Sequence, residues 1–460
     1  MKQICVLAFI VVMGIGFTSV VHQFNDGRPV FIPPSPQRTG GDPIKGYDYL
    51  IKGDYVKGGI PYNMYVLGIG KSRKNFLDRN GINEKISHEY TAVTAPNGEI
   101  LVAPNCLQCH AQVLNDTLVM GLGNTFIDFT SGQKLNLKNL ERVEAFLRNT
   151  SPRKYEAAAD FLNITKTIGP FLHTEVRGVN AADRLAGVLA AHRDPVTFKW
   201  LDSAQIQIPD EVIPTDVPAW WLLKKKNAMF YNGFGRGDFG KFLMASNLLT
   251  VNDTAESREV DSHMPDMLAY IYSLTPPKYP KYISPELVNE GKALYSQNCS
   301  NCHGSYEPFP EYPNLLIPLS IIQTDSFLCK SNYSNPQFVN WFNNSWFTKG
   351  DHPARLEPFN GYIAPPLDGI WVTAPYLHNG SVPTLEGILN SSLRPTYWSR
   401  DFNNPVIDFK TVGWKYKSHE KPGKTVYNTT LRGYGNYGHY FGDTFTTQER
   451  TALLEYLKTL

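Results

Sequence analysis

At 460 residues, 42% of them hydrophobic, the chain exceeds what one core holds, and about 100–200 residues per domain divides it into roughly two to four. A formal net charge of +2 gives no basic field for a phosphate backbone, which excludes nucleic acid as an implied partner. Six cysteines, four of them in two tight pairs, leave no even disulfide framework.

The chain opens with targeting information. Lys2 precedes an apolar run from Ile4 to Phe17 that continues through Val20 and Val21, the charged start and greasy middle of a secretion signal. Gly16 and Thr18 make a poor cleavage site, so residues 1–24 read as a signal peptide or as an N-terminal membrane anchor of marginal length. Cys5 lies too early to accept a lipid. Either way the body is expected to be exported, periplasmic or extracellular. Residues 25–86 follow as a Pro/Gly-rich arm and N-terminal extension. Its stretch RPVFIPPSPQRTGGDP buries little and reads as a linker, and the short apolar runs after Gly59 are expected on the surface.

Next comes a hairpin signal. EYTAVTA and EILVAP flank Pro96-Asn97-Gly98, so the chain should reach the following residues from a strand. Those residues are Cys106-Leu107-Gln108-Cys109-His110, and Cys299-Ser300-Asn301-Cys302-His303 repeats the pattern downstream. Each pentapeptide sets two thiols where they can bond the two vinyl-derived carbons of one haem, with an imidazole next in line for the iron. A zinc site would need two further ligands beside each pair, and Cys5 and Cys329 are too few and badly placed. A thioredoxin-like redox pair needs a βαβ setting that neither copy has. The spacing therefore predicts two haem c, one bound covalently at Cys106 and Cys109 and one at Cys299 and Cys302, with His110 and His303 as proximal iron ligands.

Between the motifs LKNLERVEAFLR, PRKYEAAADFLNIT and DRLAGVLAAHR carry helical periodicity. His173 and His192 beside them are expected to be hydrogen-bonded structural residues. PDMLAYIYSL closes the first unit, TPPKYPKYISP is a stiff proline linker, and Ser284-Pro285-Glu286 starts the helix LVNEGKALYSQN that leads to Cys299. Both halves end alike, AYIYSL and LEYLKTL each reading as a final helix. Each also carries tryptophan, then tyrosine and Asn-Gly: Trp220 and Trp221 with Tyr231-Asn232-Gly233, then Trp371 with Tyr376 and Asn379-Gly380. The chain reads as duplicated. The expected fold class is mainly α, two tandem cytochrome c-like domains with long loops and a few short strands, 87–282 for the first haem and 283–460 for the second.

The stretch IWVTAPYLHNGSVPTLEGIL, the two haem motifs and a terminal ERTALLEYLKTL together resemble the bacterial dihaem cytochrome c peroxidase superfamily, especially its branch of haem-dependent rubber oxygenases. The similarity is strong over 284–460, weaker over 87–283 and absent from 1–86. This resemblance implies a calcium ion often bound between two α-helical modules. It also implies a low-spin C-terminal haem that relays electrons and an N-terminal haem that does the chemistry.

Axial ligation decides which haem reacts, because an iron with two strong protein ligands moves electrons while an open position binds peroxide or oxygen. His439, in GNYGHYFGD, stands shortly before the last helix, where the sixth ligand usually enters a cytochrome c module and where the family carries Met, Tyr or His. His378 in LHNGS, or no protein ligand, is the alternative. At the first haem Asn252-Asp253-Thr254 fill the same place, which leaves the sixth site open, with His263, Met264 and Met244 as remaining candidates. FYNGFGRGDFGKF resembles the family's segment between the haems, with Tyr231 where a Trp is common. Tyr231 is then an inter-haem relay, provided its hydroxyl proton has somewhere to go, or an ordinary packed aromatic. Downstream, where the peroxidase branch has a Gln and a Glu, KFLMASNLLTVND offers Phe242, Met244, Ser246 and Asn247 for a distal pocket. No carboxylate precedes Asp253, which suits oxygen and a greasy substrate better than acid–base cleavage of a peroxide. Arg236 and Lys224-Lys225-Lys226 are candidates for haem propionates or a partner, with solvated surface the expected reading for the lysine run.

The sequence thus predicts an exported dihaem c-type cytochrome and oxidoreductase, peroxidase-like or oxygenase-like, whose C-terminal haem relays electrons to or from a reactive N-terminal haem. A small redox protein or a membrane electron-transport component is the expected partner, with peroxide or oxygen as oxidant. A pure electron carrier with both irons six-coordinate is the alternative, and a haem protein that modifies another polypeptide the third.

Overall fold

The computed structural model describes residues 27–130 and 137–460. The expected signal or anchor segment, Cys5 included, lies outside the described residues, and among these no helix is long and apolar enough to cross a membrane.

Two helix crossings organise the chain. The helix Pro43–Lys52 starts cleanly because the Asp42 side chain accepts the Ile44 and Lys45 amides and Pro43 takes the first position. It buries Leu50 and Ile51 and crosses the helix Met264–Ser273, which buries Met267, Leu268 and Ile271. The backbones touch there, since a Cβ on Gly46 would stand 2.0 Å from the Asp266 carbonyl oxygen. The helix Pro285–Asn298 crosses Thr447–Leu457 in the same manner, and a Cβ on Gly291 would stand 2.0 Å from the Ala452 carbonyl oxygen. A capping box of Thr446 and Glu449 starts the last of these helices.

The two halves then differ. In the second, Pro285–Asn298 runs straight into Cys299. In the first, a three-stranded antiparallel sheet, in the order Ile60–Pro61, Ile100–Pro104, Tyr90–Thr94, separates the crossing helix from Cys106. The expected hairpin is present. Ala95 N–H donates to the Glu99 carbonyl at 2.8 Å and Gly98 takes a φ of 84°, as an Asn-Gly turn requires. The segment expected to be a surface linker instead supplies a core helix, because IKGYDYLIK is apolar on one face and its Pro/Gly neighbours only punctuate it.

The expectation of a mainly α chain of two tandem cytochrome c-like domains is overturned. The fold is mixed α/β, about 39% helix and 13% strand, with six small sheets among the described residues. Most of these strands hold two or three residues, too few to show an alternating pattern, and several pair across the chain. Val30 and Phe31 pair with Leu316 and Leu315, and Gly235–Gly237 pairs with Ala354–Leu356. The main apolar core likewise joins Leu107, Phe161, Trp220 and Phe242 to Trp341, Phe342 and Phe347, residues from either side of the expected 282/283 boundary. Beside it Arg38 binds Asp238 at 3.0 Å and Asp261 at 2.6 Å, tying the N-terminal arm to residues some 200 positions away.

Candidate functional site

Around the second pentapeptide the chain makes a short helical turn, Ser300–His303, in which the His303 amide donates to the Cys299 carbonyl at 3.0 Å. His303 Nδ1 lies 2.8 Å from the Pro365 carbonyl oxygen, which can only accept. That contact puts the proton on Nδ1 and leaves the Nε2 lone pair free for a metal. Burial lowers the His303 pKa, so the ring is neutral, as a ligand must be.

His439 faces it. The two ring centroids are 6.1 Å apart with planes at 58°. An imidazole nitrogen sits about 2.0 Å from a bound transition metal and about 1.15 Å from its own ring centre, so two imidazoles sharing one iron keep centroids about 6.3 Å apart. The gap between His303 and His439 therefore fits one iron. His439 has a φ of 51° and follows Gly438 at 84°, where a Cβ would strike the Thr324 amide at 2.3 Å, so the loop can aim the ring inward only with glycine there. The His439 amide donates to the Ile322 carbonyl at 2.8 Å, and Phe441 sets its ring edge-on against the imidazole at 5.1 Å. Arg394 clamps the loop. Its Nη1 donates to the Asn436 and Gly438 carbonyls at 2.8 and 2.7 Å and its Nη2 to that of His439 at 3.2 Å, while Nε holds Gly387 at 2.7 Å. Burial pushes the His439 pKa down to about 3, with His303 adding to the shift. The alternative sixth ligand, His378, is engaged elsewhere. Its Nε2 lies 3.2 Å from the Tyr362 hydroxyl and its ring stacks on that phenol at 4.2 Å.

The first pentapeptide is positioned differently. Asn105, at the end of the hairpin, accepts the Leu107 amide at 2.9 Å and donates to the His88 carbonyl and Thr91 hydroxyl, which fixes the turn leading to His110. The His110 ring stacks on Trp220 at 4.5 Å with planes at 18°, and among the described residues its Nδ1 has no hydrogen-bond partner. Burial pushes its pKa down to about 3. Asn180 Nδ2 reaches Cys109 Sγ at 3.3 Å. Burial pushes Cys106 and Cys299 up to about 11 and raises Cys109 and Cys302. In each pentapeptide both thiols are free, as thioether bonding to haem requires.

Of the expected distal pocket, Phe242, Met244 and Asn247 are buried, Phe242 stacks on Phe342 at 5.3 Å, and among the described residues the Asn247 amide nitrogen has no partner. Ser246 is exposed, its hydroxyl donating to the Leu243 carbonyl at 3.1 Å and lying near Cys106. His263 stacks on Tyr49 at 4.0 Å with its Nε2 3.3 Å from Glu259, and Met264 is buried in the core. His192 holds the Leu201 carbonyl at 3.0 Å, as expected of a structural histidine. The lysine run is solvated only at Lys224. Lys224 holds the Leu274 carbonyl, Lys225 pairs with Asp368 at 2.7 Å, and Lys226 is buried with its pKa pushed down to about 8 by desolvation. Arg236 is buried beside Glu357, 3.5 Å away. Tyr231 donates its hydroxyl to Asp216 at 2.6 Å. Among the described residues no group of three or more His, Cys, Asp or Glu is placed to hold a separate metal ion such as calcium. Sequence reasoning missed Pro365, Arg394 and Asp216, which act over long separations and carry no local pattern.

Comparison with known proteins adds three findings. The chain is 28% identical over 252 residues, 41% of its length, to the uncharacterized protein y4iJ of Sinorhizobium fredii, and 25% identical over 280 residues, 55% of its length, to y4iM of the same organism. These alignments span 41% and 63% of the two relatives. Residues 361–399 match the family described as RoxA-like, cytochrome c-like. That segment holds both Pro365 and Arg394, and it supports a RoxA-like cytochrome c relationship for the chain, with haem c as the implied cofactor.

Proposed function

We propose that the chain is an exported dihaem c-type cytochrome that works as an oxidoreductase. Haem at Cys299 and Cys302, held between His303 and His439, relays electrons to or from a reactive haem at Cys106, Cys109 and His110. The observation that carries this is the contrast between the two sites: two imidazoles an iron's width apart at the second, at 6.1 Å, and a single imidazole stacked on Trp220 at the first. When bound, haem supplies at the first site an iron able to take peroxide or oxygen. The residues do the rest. His110 is neutral and held in plane by Trp220, and Phe242 and Met244 furnish an apolar surround that favours oxygen or an apolar substrate over acid–base cleavage of a peroxide. A small redox protein or a membrane electron-transport component would exchange electrons at the second site.

The test is electron paramagnetic resonance on the resting ferric protein, matured in a host that attaches haem c and checked for two haem masses. One high-spin and one low-spin signal in equal amounts are expected. Two low-spin signals would leave a pure electron carrier instead.

A further inference from the structure

The small net charge of the chain conceals a lopsided distribution. Residues 275–284 and 406–425 hold seven lysines against two carboxylates, a local charge of +5 in a chain whose total is +2, so the remainder carries −3. The fold joins the two stretches. The Tyr279 hydroxyl donates to the Phe409 carbonyl at 2.7 Å and Lys281 Nζ stands 5.3 Å from the centre of the Phe409 ring, which lays the proline linker with Lys278 and Lys281 against the turn that carries Lys410. Asp408 fixes that turn by accepting the Lys410 and Thr411 amides at 2.9 and 3.2 Å, and its strand Ile407–Asp408 pairs with Gly413–Trp414. Onward from Trp414 the residues are in turn buried, exposed, half-buried and exposed, so Lys415 and Lys417 share the outer face while Tyr416 packs inward on Trp398 at 6.2 Å. The strand Lys417–His419 pairs with Tyr397–Ser399, and the loop after it presents Lys421 and Lys424.

All seven lysines are exposed, and among the described residues none of them forms an ion pair with a carboxylate. Two apolar groups stand among them: Tyr282 is 83% exposed, and Val406, whose carbonyl accepts the Lys415 amide at 2.9 Å, is 53% exposed. The choice of residue types separates one kind of partner from another. Neither stretch contains an arginine. Interfaces with folded proteins favour arginine, whose planar fork matches a fixed carboxylate, and are depleted in lysine. A layer of lipid phosphates presents no fixed geometry, and there several mobile ammonium groups each add attraction. Tyrosine in turn settles at the boundary between water and lipid, with its ring in the headgroups and its hydroxyl wet.

We propose that this lysine stripe rests on an anionic phospholipid surface, with Tyr282 and Val406 reaching the level of the headgroups. The contact is electrostatic and reversible, because charge supplies most of it and two apolar side chains add little buried area. It does not rest on the haem reading, and it needs no membrane-crossing helix. The acidic remainder of the chain is repelled by the same surface, so the charge asymmetry also sets which side of the molecule turns toward the lipid.

The test uses the full chain as its host matures it, sedimented with vesicles of phosphatidylcholine alone or of phosphatidylcholine mixed with an equal amount of phosphatidylglycerol. At about fivefold per lysine beside an anionic surface, the parent should partition at least about 100-fold more strongly into the mixed vesicles. Raising the salt from about 0.1 M to about 1 M, which shortens the screening length from about 10 Å to about 3 Å, should remove that preference. Lys415→Gln, Lys417→Gln and Lys421→Gln combined should lower partition on the order of 100-fold, and Lys415→Gln alone about fivefold. Lys71→Gln, Lys85→Gln and Lys349→Gln combined, at exposed lysines off the stripe, should stay within about threefold of the parent. Unchanged urea midpoints establish that the variants are folded. No preference of the parent for phosphatidylglycerol overturns the proposal and leaves the stripe to an acidic protein or to solvent. Equal losses from the two triple variants overturn it as well, since the attraction would then follow total charge and not the stripe, and so does a stripe variant that matches the parent.

Discussion

Arg394→Met should loosen the His439 loop without touching either pentapeptide, since methionine keeps much of the side-chain length and donates nothing. Two short bonds run from the guanidinium into the loop, to the Asn436 carbonyl at 2.8 Å and the Gly438 carbonyl at 2.7 Å, and a longer one reaches His439 itself. At about 1.5 kcal/mol net for each short bond from a charged donor, the clamp holds the loop closed by about 3 kcal/mol. At 1.4 kcal/mol per tenfold, its loss raises the population with His439 withdrawn by about 150-fold. Cyanide reports this directly, because it reaches the second iron only after His439 leaves. Stopped-flow binding of cyanide to the ferric protein should therefore accelerate about 150-fold in the variant, with Arg394→Lys, a single-point donor, in between. A cyanide rate within about threefold of the parent, with the low-spin signal intact, would show that Arg394 does not hold the ligand and that the loop is kept closed elsewhere.

Other substitutions read other links in the chain. His439→Ala should convert one haem per chain from low to high spin in the resonance spectrum, whereas His378→Ala should leave both spin states unchanged because its ring already serves Tyr362. Gly46→Ala and Gly291→Ala, which would ordinarily favour a helix, should each lower stability by about 1–3 kcal/mol in urea titrations, because the added methyl meets a carbonyl oxygen at 2.0 Å across the helix crossing. His378 is buried and its pKa is pushed down from 6.5 to about 3, so the unfolded chain takes up a proton that the folded chain refuses. The stability from the neutral ring is complete above the unfolded pKa and is lost as pH falls toward the folded one. His378→Gln should make the decline of unfolding free energy between those limits shallower by about 1.4 kcal/mol per pH unit.

What was legible in the sequence was local. The two pentapeptides, the Asn-Gly hairpin before Cys106, the helices flanking each motif and the inward-facing His439 are read from neighbours within a turn or two. The helix Pro43–Lys52 was missed because its cap and proline continue a run of linker-like residues, and the apolar face that makes it a core element meets its partner more than 200 positions later. The class assignment failed for a related reason. Strands such as Gly235–Gly237, written GRG, exist only because a distant strand pairs with them. The lysine run was misjudged in part in the same way: Lys224 is exposed as expected, but Lys225 pairs with Asp368, 143 residues away, and Lys226 is buried. Asp216, Pro365 and Arg394 are ordinary residues in ordinary loops, and only the fold shows that each meets a residue of the two sites.

The two proximal histidines then separate the halves chemically. An imidazole that donates its Nδ1 proton to a carbonyl is held in orientation and made more basic, and His303 has that bond to Pro365. Among the described residues His110 has no such partner; its ring stacks on Trp220, which holds it without accepting a proton. The matched segment 361–399 supplies Pro365 behind His303 and Arg394 behind the His439 loop, so a single stretch of chain braces both imidazoles. A site braced on both faces reorganises little when its charge changes, which is what electron relay needs. In the proposed reading the first site has no such brace opposite His110, and the residues assigned to its distal side, Phe242 and Met244, are buried and apolar, without a strong basic ligand. Two sites built like the second would give only a wire. In the proposed reading, the unequal bracing is what leaves one half of the molecule free to react.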